Sequence, residues 1–191
     1  MAAAPETWSL LRRETARLTR LVDDLQDLWR AEARQLPLRI EPVDVVAAAT
    51  DAVERARPAA TARRIAVRID AAGRLVARAD RDRLAQILDN YVSNALRYAP
   101  EDTVVVVRAV AGTDEVHVSV IDAGPGLTPD QQMQVFERFY RIDPSRSRAL
   151  GGAGIGLAIT RALALAMDGR TWVTSDGPGS GSSFHLALPA V

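Results

Sequence analysis

The sequence predicts an α/β protein: a two-layer sandwich, with a mixed sheet and helices on one of its faces, preceded by one long helix. Three observations carry this. Leu11, Thr15, Leu18, Val22, Leu25 and Trp29 recur at alternating spacings of four and three, which is the heptad seam of a helix. Val116, Val118 and Val120, and again Phe184, Leu186 and Leu188, alternate as half-buried strands do. Between these regions a run starting at Asp80 and ending near Tyr98 reads as a second long helix.

Taken in order, the first helix runs from Thr7 to about Arg34, and Leu10, Leu21 and Leu28 widen its apolar face toward what a four-helix bundle covers. Pro37 and Pro42 bracket a hinge-like segment, so residues 1–36 are expected to stand apart from a domain at 37–191. Asp44 caps a helix reaching Arg57, and Ile65 to Ile69 and Leu75 to Ala79 read as paired strands around a turn at Gly73. After the Asp80 helix, Thr103 to Val110 and Glu115 to Ile121 are strands joined through Gly112, Thr113 and Asp114. Thr128 to Phe136 is a short helix and Gly154 to Met167 a longer one, with an arginine-rich loop between them. Strands Arg170 to Ser175 and Ser182 to Leu188 close the domain.

The 191 residues, 48% of them hydrophobic, suffice for one core of ordinary domain size. A formal charge of +0 provides no global field for nucleic acid or an acidic membrane surface. All 24 basic side chains are arginine, a usage that fits GC-rich coding. Without cysteine there is no disulfide, no thiolate zinc site and no thiol nucleophile. Met1 to Glu6 lacks a signal-peptide pattern, and no apolar run reaches the roughly 20 residues a bilayer span needs.

Three segments carry chemistry. Asn90 and Asn94 lie one helical turn apart, with Arg97 and Tyr98 continuing the same edge. An asparagine amide oxygen can ligate a magnesium ion beside phosphates without adding negative charge. Asp122 ends a strand and is followed by Gly124 and Gly126; a carboxylate held there can accept a hydrogen bond from an exocyclic amine such as that of adenine. Gly151 to Gly156 opens a helix whose free N–H groups suit phosphates. A dinucleotide-binding reading fails, because a long polar loop rather than a strand precedes those glycines.

In this order the segments resemble the catalytic ATP-binding domain of bacterial sensor histidine kinases, within the GHKL ATPase superfamily shared with gyrase and mismatch-repair proteins. Leu88 to Tyr98 looks like the family's N box, Asp122 to Gly126 like its G1 box, and Val135 to Arg141 like the F box that marks histidine kinases. Gly152 to Gly156 looks like the G2 box, and Gly179 to Phe184 like the last glycine box. The resemblance implies ATP and Mg2+ as ligands, with Asn94 on the metal, Asn90 its catalytic partner, and Asp122 on the adenine amine. It places Arg97, Tyr98, Gly124, Gly126, Gly152, Gly154, Gly156 and Leu157 around the nucleotide, and brings Arg141 to the terminal phosphate. Ala153 departs from the family's usual threonine. Phe136 and Phe139 are expected in the core, and Arg146 and Arg148 are equally compatible with solvent or function.

By the same resemblance, the helix from Thr7 to Arg34 corresponds to the second helix of a dimerisation and phosphotransfer hairpin, whose first helix bears the acceptor histidine. Only His117 and His185 occur here, both on strands, opposite the apolar sets. Burying five seam residues is worth about 7–15 kcal/mol gross, against roughly 4–15 kcal/mol for association. A monomer or weak dimer is therefore expected alone, and tighter association with a histidine-bearing partner. The implied activity is a cytoplasmic protein-histidine kinase, unable to autophosphorylate alone, that phosphorylates a histidine on another chain and so serves a response regulator. It would act as a split subunit or as a piece of a longer sensor kinase. The alternatives are a nucleotide-sensing module without phosphotransfer and an anti-sigma-type serine kinase, the latter without support from the F box.

Overall fold

Alternating valines build the centre of the molecule. The computed structural model describes residues 8, 12, 15, 19, 22–23, 25–31, 33, 35–142 and 154–191. Along them run β1 (Glu41–Asp44), α1 (Val45–Ala62), β2 (Ala66–Ala71), β3 (Val76–Ala79), α2 (Arg81–Tyr98), β4 (Val104–Ala111), β5 (Glu115–Asp122), α3 (Pro129–Gln134), α4 (Gly156–Ala166), β6 (Arg170–Thr174) and β7 (Ser182–Pro189). Five strands form one sheet in the order β2-β4-β5-β7-β6. The β2–β4 pair is parallel and the others antiparallel, so the sheet is mixed, as the sequence predicts.

One face of this sheet is apolar because the inward alternation is unbroken: Val105 and Val107, Val116, Val118 and Val120, then Phe184, Leu186 and Leu188 are all buried. Against it α2 lays Leu84, Ile87, Leu88, Tyr91 and Ala95, a stripe at helical spacing. Each such buried side chain contributes about 1.5–3 kcal/mol of transfer free energy. The start of α2 is fixed by Asp80, whose carboxylate accepts from the N–H groups of Asp82 and Arg83 and, from outside the helix, from Arg39 at 2.8 Å. Thr128 and Gln131 form a capping box that starts α3.

Three local expectations are corrected. The segments around Gly73 are not a hairpin: β2 pairs with β4, while β3 pairs with β1 in a separate two-stranded ladder. β1 contains Pro42, read above as part of a hinge; β1 has only β3 as a partner, and an edge strand tolerates a proline that lacks an N–H. Val43 is buried there, and Leu36 before it joins the same core. α1 does not stop at Arg57 but passes Pro58, which is exposed, and continues to Ala62, with Ala60 buried.

Most of the predicted first helix lies outside the described residues, including Leu10, Leu11, Leu18 and Leu21. Residues 25–31 are helical. Leu28 and Ala31 face the core, and Asp27 pairs with Arg83 of α2. Trp8, Val22 and Trp29 are exposed at 59%, 53% and 62%.

The sheet's other face carries both histidines. His185 holds the Ser119 hydroxyl at Nδ1 and the Thr174 hydroxyl at Nε2, both at 2.8 Å, and stacks on Trp172 with centroids 4.9 Å apart. His117 meets the edge of Trp172 and bonds Glu115, which also pairs with Arg170. Desolvation, then the neighbouring His117, lowers the His185 pKa below its ordinary 6.5. Folding therefore favours neutral His185, a contribution present above about pH 6.5 and lost as the pH falls below it. The fall in Tm from pH 7.5 to 5.5 is expected to be smaller in His185→Gln than in the parent protein.

Candidate active site

The candidate site lies where α2, the end of β5 and two glycine-containing loops meet. Burial of Tyr91 fixes the rotation of α2: its hydroxyl donates to the His185 carbonyl at 3.0 Å, and its ring lies 5.8 Å from that of Phe184. That burial pushes the Tyr91 hydroxyl above its ordinary pKa. With that side locked inward, Asn90 and Asn94 are half-buried on the adjoining edge, with Arg97 half-buried and Tyr98 exposed beyond them. Asn90 Nδ2 donates to the Gly156 carbonyl at 3.3 Å, joining the N-box segment to the start of α4.

Asp122 is 7% exposed at the end of β5. Its Oδ1 accepts from the Gly124 N–H at 2.7 Å, and a Cβ on Gly124 would lie 2.5 Å from that same oxygen. The Cβ would also touch the Tyr98 carbonyl at 3.4 Å, so Gly124 is where Asp122 and the end of α2 converge. Burial raises the Asp122 pKa from 3.8 to about 6, against the partial relief of N–H donation from Gly124 and Ser182. A carboxylate this dry has unused acceptor capacity.

Behind it, two loops are stitched together. Gly126, at φ +70°, would place a Cβ 2.0 Å from the Gly177 carbonyl oxygen, and Gly181, at φ +74°, would place one 2.1 Å from the Asp122 carbonyl oxygen. Only glycine combines that backbone with that approach. Gly179 N–H donates to the Pro125 carbonyl at 2.6 Å, and Ser175 Oγ binds the Leu127 N–H and the Gly181 carbonyl. Gly126 thus meets protein backbone. Ser175, in a loop, and Gln132, in the short helix α3, which reaches the Ser175 carbonyl at 2.9 Å, were missed in the sequence, since a single polar residue carries no period.

On the remaining side, the Phe139 N–H donates to the Gly154 carbonyl at 2.9 Å, with both residues in left-handed backbone, φ +60° and +73°. Phe136 is in the core, edge-on to Phe184, as expected. Phe139 is not: it is 62% exposed, because the left-handed turn after α3 swings it outward. Arg141 follows, with Nε and Nη2 buried and without a hydrogen-bond partner among the described residues. Leu157 is half-buried in the first turn of α4. Gly152, with Gly151, Ala153, Arg146 and Arg148, lies outside the described residues.

Residues 79–191, which contain all of these segments, match the family described as histidine kinase-, DNA gyrase B-, and HSP90-like ATPase. The chain belongs to this ATPase family. Among curated relatives of the ATPase, the sensor-like histidine kinase SenX3 of Mycobacterium tuberculosis is 39% identical over 93% of this chain and 43% of its own length. The signal transduction histidine-protein kinase BaeS of Escherichia coli is 34% identical over 97% of this chain and 39% of its own. The chain thus spans less than half the length of these relatives. A solved structure of full-length ShkA in complex with AMPPNP superposes on the ATPase with a TM-score of 0.84 at 30% identity, over 100% of this chain and 40% of that one. The Acinetobacter baumannii histidine kinase AdeS shares the fold, with a TM-score of 0.82 at 21% identity over 100% of this chain and 87% of that one.

Proposed function

We propose that this chain is the catalytic ATP-binding part of a two-component sensor histidine kinase, and that it passes the γ-phosphoryl group of ATP to a histidine on another chain. The observation that carries this reading is Arg141. A guanidinium with two buried nitrogens that find no partner among the described residues is costly unless an anion completes it, and Arg141 follows two residues after Phe139, whose N–H is bonded to Gly154. The adenine amine gives Asp122 a donor in a pocket where its carboxylate is desolvated. Asn94 would hold Mg2+ through its amide oxygen, without adding negative charge beside the phosphates. When bound, the ion would supply positive charge to the phosphates. On this reading Asn90 orients reactants from the same edge, Arg97 and Tyr98 line the nucleotide, and Gly154, Gly156 and Leu157, at the start of α4, offer N–H groups to the phosphates. The bound AMPPNP of the ShkA structure, at 30% identity, supports ATP as the nucleotide.

Neither histidine of the chain suits the acceptor role, since both project from the sheet face opposite the helices and are held there by hydrogen bonds. In transfer, the bond between the γ-phosphorus and the oxygen of departing ADP breaks as one forms to an imidazole nitrogen, whose proton leaves to a base beside it. The chain's contribution is position and positive charge. Trp8, Val22 and Trp29, at intervals of fourteen and seven and exposed, offer the face on which a histidine-bearing helix would sit. A response regulator would then receive the group. No helix among the described residues is long and apolar enough to cross a membrane; we place the chain in the cytoplasm, recruited to a membrane sensor.

Incubation with radiolabelled ATP and Mg2+, alone and with a separate histidine-bearing hairpin, tests this. Acid-labile label is expected on the hairpin and none on this chain. Arg141→Met should lower transfer about 100-fold while changing ATP affinity only a few-fold. Tight ATP binding with no label on the hairpin would leave a nucleotide-sensing module instead.

A further inference from the structure

The end of α2 presents a problem of hydrogen bonding. Its last carbonyls have no intrahelical donors. That of Ala95 is satisfied by the Ala99 N–H at 2.9 Å, but the residue that would serve Leu96 is Pro100, which has no N–H. The missing donors come from a different helix. Arg63, the C-cap of α1, sends Nη1 to the carbonyls of Leu96 and Arg97, the latter at 2.8 Å, and Nη2 to that of Ala99 at 3.1 Å. A guanidinium suits this task, because its planar fork serves several oxygens at once and its charge opposes the negative end of the helix dipole. Arg63 is itself anchored, its N–H donating to the Ala60 carbonyl at 3.1 Å. The adjacent Arg64, at φ +51°, turns away to Glu101 and Asp102.

The turn held in this way is the one that carries Arg97 and Tyr98, and the Tyr98 carbonyl is where Gly124 approaches beside Asp122. Arg63 and Arg97 also line one groove between α1 and α2. We propose that Arg63 is a positioning residue for the nucleotide site: by closing the C-terminus of α2 it sets Arg97 and Tyr98, and through Tyr98 the Gly124–Asp122 wall. The inference rests on the nucleotide-binding reading above. It makes α1, which contributes no residue to the pocket, the element that determines how well the pocket is formed.

The test compares Arg63→Met, Arg63→Lys and, as a neighbour of equal charge, Arg64→Ala. ATP affinity is measured by calorimetry at a temperature where circular dichroism shows each variant fully folded, and amide hydrogen exchange is followed at residues 96–99. Arg63→Met is expected to weaken ATP binding about tenfold and to accelerate exchange at 96–99. Arg63→Lys should recover part of both, and Arg64→Ala should bind like the parent. In an Arg97→Met, Tyr98→Ala background, Arg63→Met should cost less, because two of the side chains it positions are gone and only the path through the residue-98 carbonyl to the Gly124–Asp122 wall remains. An Arg63→Met protein with lowered Tm but affinity within about twofold of the parent would overturn the proposal, as would weakened affinity with unchanged hydrogen exchange at 96–99. If Arg63→Met does not fold, Arg63→Lys carries the same comparison. A parent protein that binds no ATP would refute the nucleotide site itself, and exchange at 96–99 would still show whether Arg63 holds the turn.

Discussion

Asp122→Asn is expected to bind ATP about 30- to 150-fold more weakly than the parent, the equivalent of about 2–3 kcal/mol for a hydrogen bond to a charged acceptor. It is also expected to be at least as stable. These opposite directions follow from one cause. Folding moves the Asp122 pKa from 3.8 to about 6, so the ionised carboxylate costs stability at neutral pH, on the order of 3 kcal/mol. The sign is that of a raised carboxyl: its favourable contribution is complete below pH 3.8 and is lost as the pH rises through about 6. Thermal melts should therefore show Asp122→Asn gaining on the parent at pH 8, with the gain shrinking toward pH 5. The parent's own ATP affinity should decline as the pH falls below about 6, approaching about tenfold per pH unit, because in the role proposed for Asp122 only the ionised form accepts from the adenine amine without competition from its own proton. Unchanged affinity in Asp122→Asn, or an affinity independent of pH from 5 to 8, would remove Asp122 from the site.

Gly126→Ala should cost more than about 3 kcal/mol of stability and lower Tm by roughly 6–12 °C. The new Cβ meets a carbonyl oxygen 2.0 Å away, backbone against backbone, so no side chain can swing aside to relieve it. The two loops must separate, and the Gly179–Pro125 hydrogen bond goes with them. Gly73→Ala is the control, since Gly73 has a similar φ of +75° but nothing within 4 Å of the added carbon. It pays only for the left-handed backbone, about 1–2 kcal/mol. The difference between the two variants isolates the overlap, and equal losses of Tm would show that loop contact contributes little. Because the Gly126 loop backs Asp122, ATP binding should fall in the first variant and not in the second.

Much of this architecture was legible in the residues. The alternating valines of β5 and the apolar stripe of α2 announce a sheet and a covering helix, because burial on one face forces those periods. Asn90, Asp122 and Gly156 were legible as a group, and the Asn90–Gly156 contact confirms that two of these segments meet. What escaped has physical reasons. β1 is four residues with one fully buried side chain, too short to show a period, and its proline suggests a break. The pairing of β2 with β4 is a long-range parallel contact, whereas sequence favours the nearest strand. Phe139 looks like core until its backbone turns left-handed. Arg63 is one of 24 arginines, and nothing in its spacing says that it points at the end of another helix.

The position of β7 has a consequence in time. It is the last strand of the chain, yet it lies between β5 and β6, and its Ser182 is the register partner of Asp122. During synthesis, residues 90, 94 and 122 all leave the ribosome well before this strand, with β5 presenting an unpaired edge and Asp122 lacking the backbone that shelters it. The sheet and the pocket wall are then completed in one event, when residues 182–189 insert. A nascent chain of this protein should acquire ATP affinity abruptly rather than by degrees.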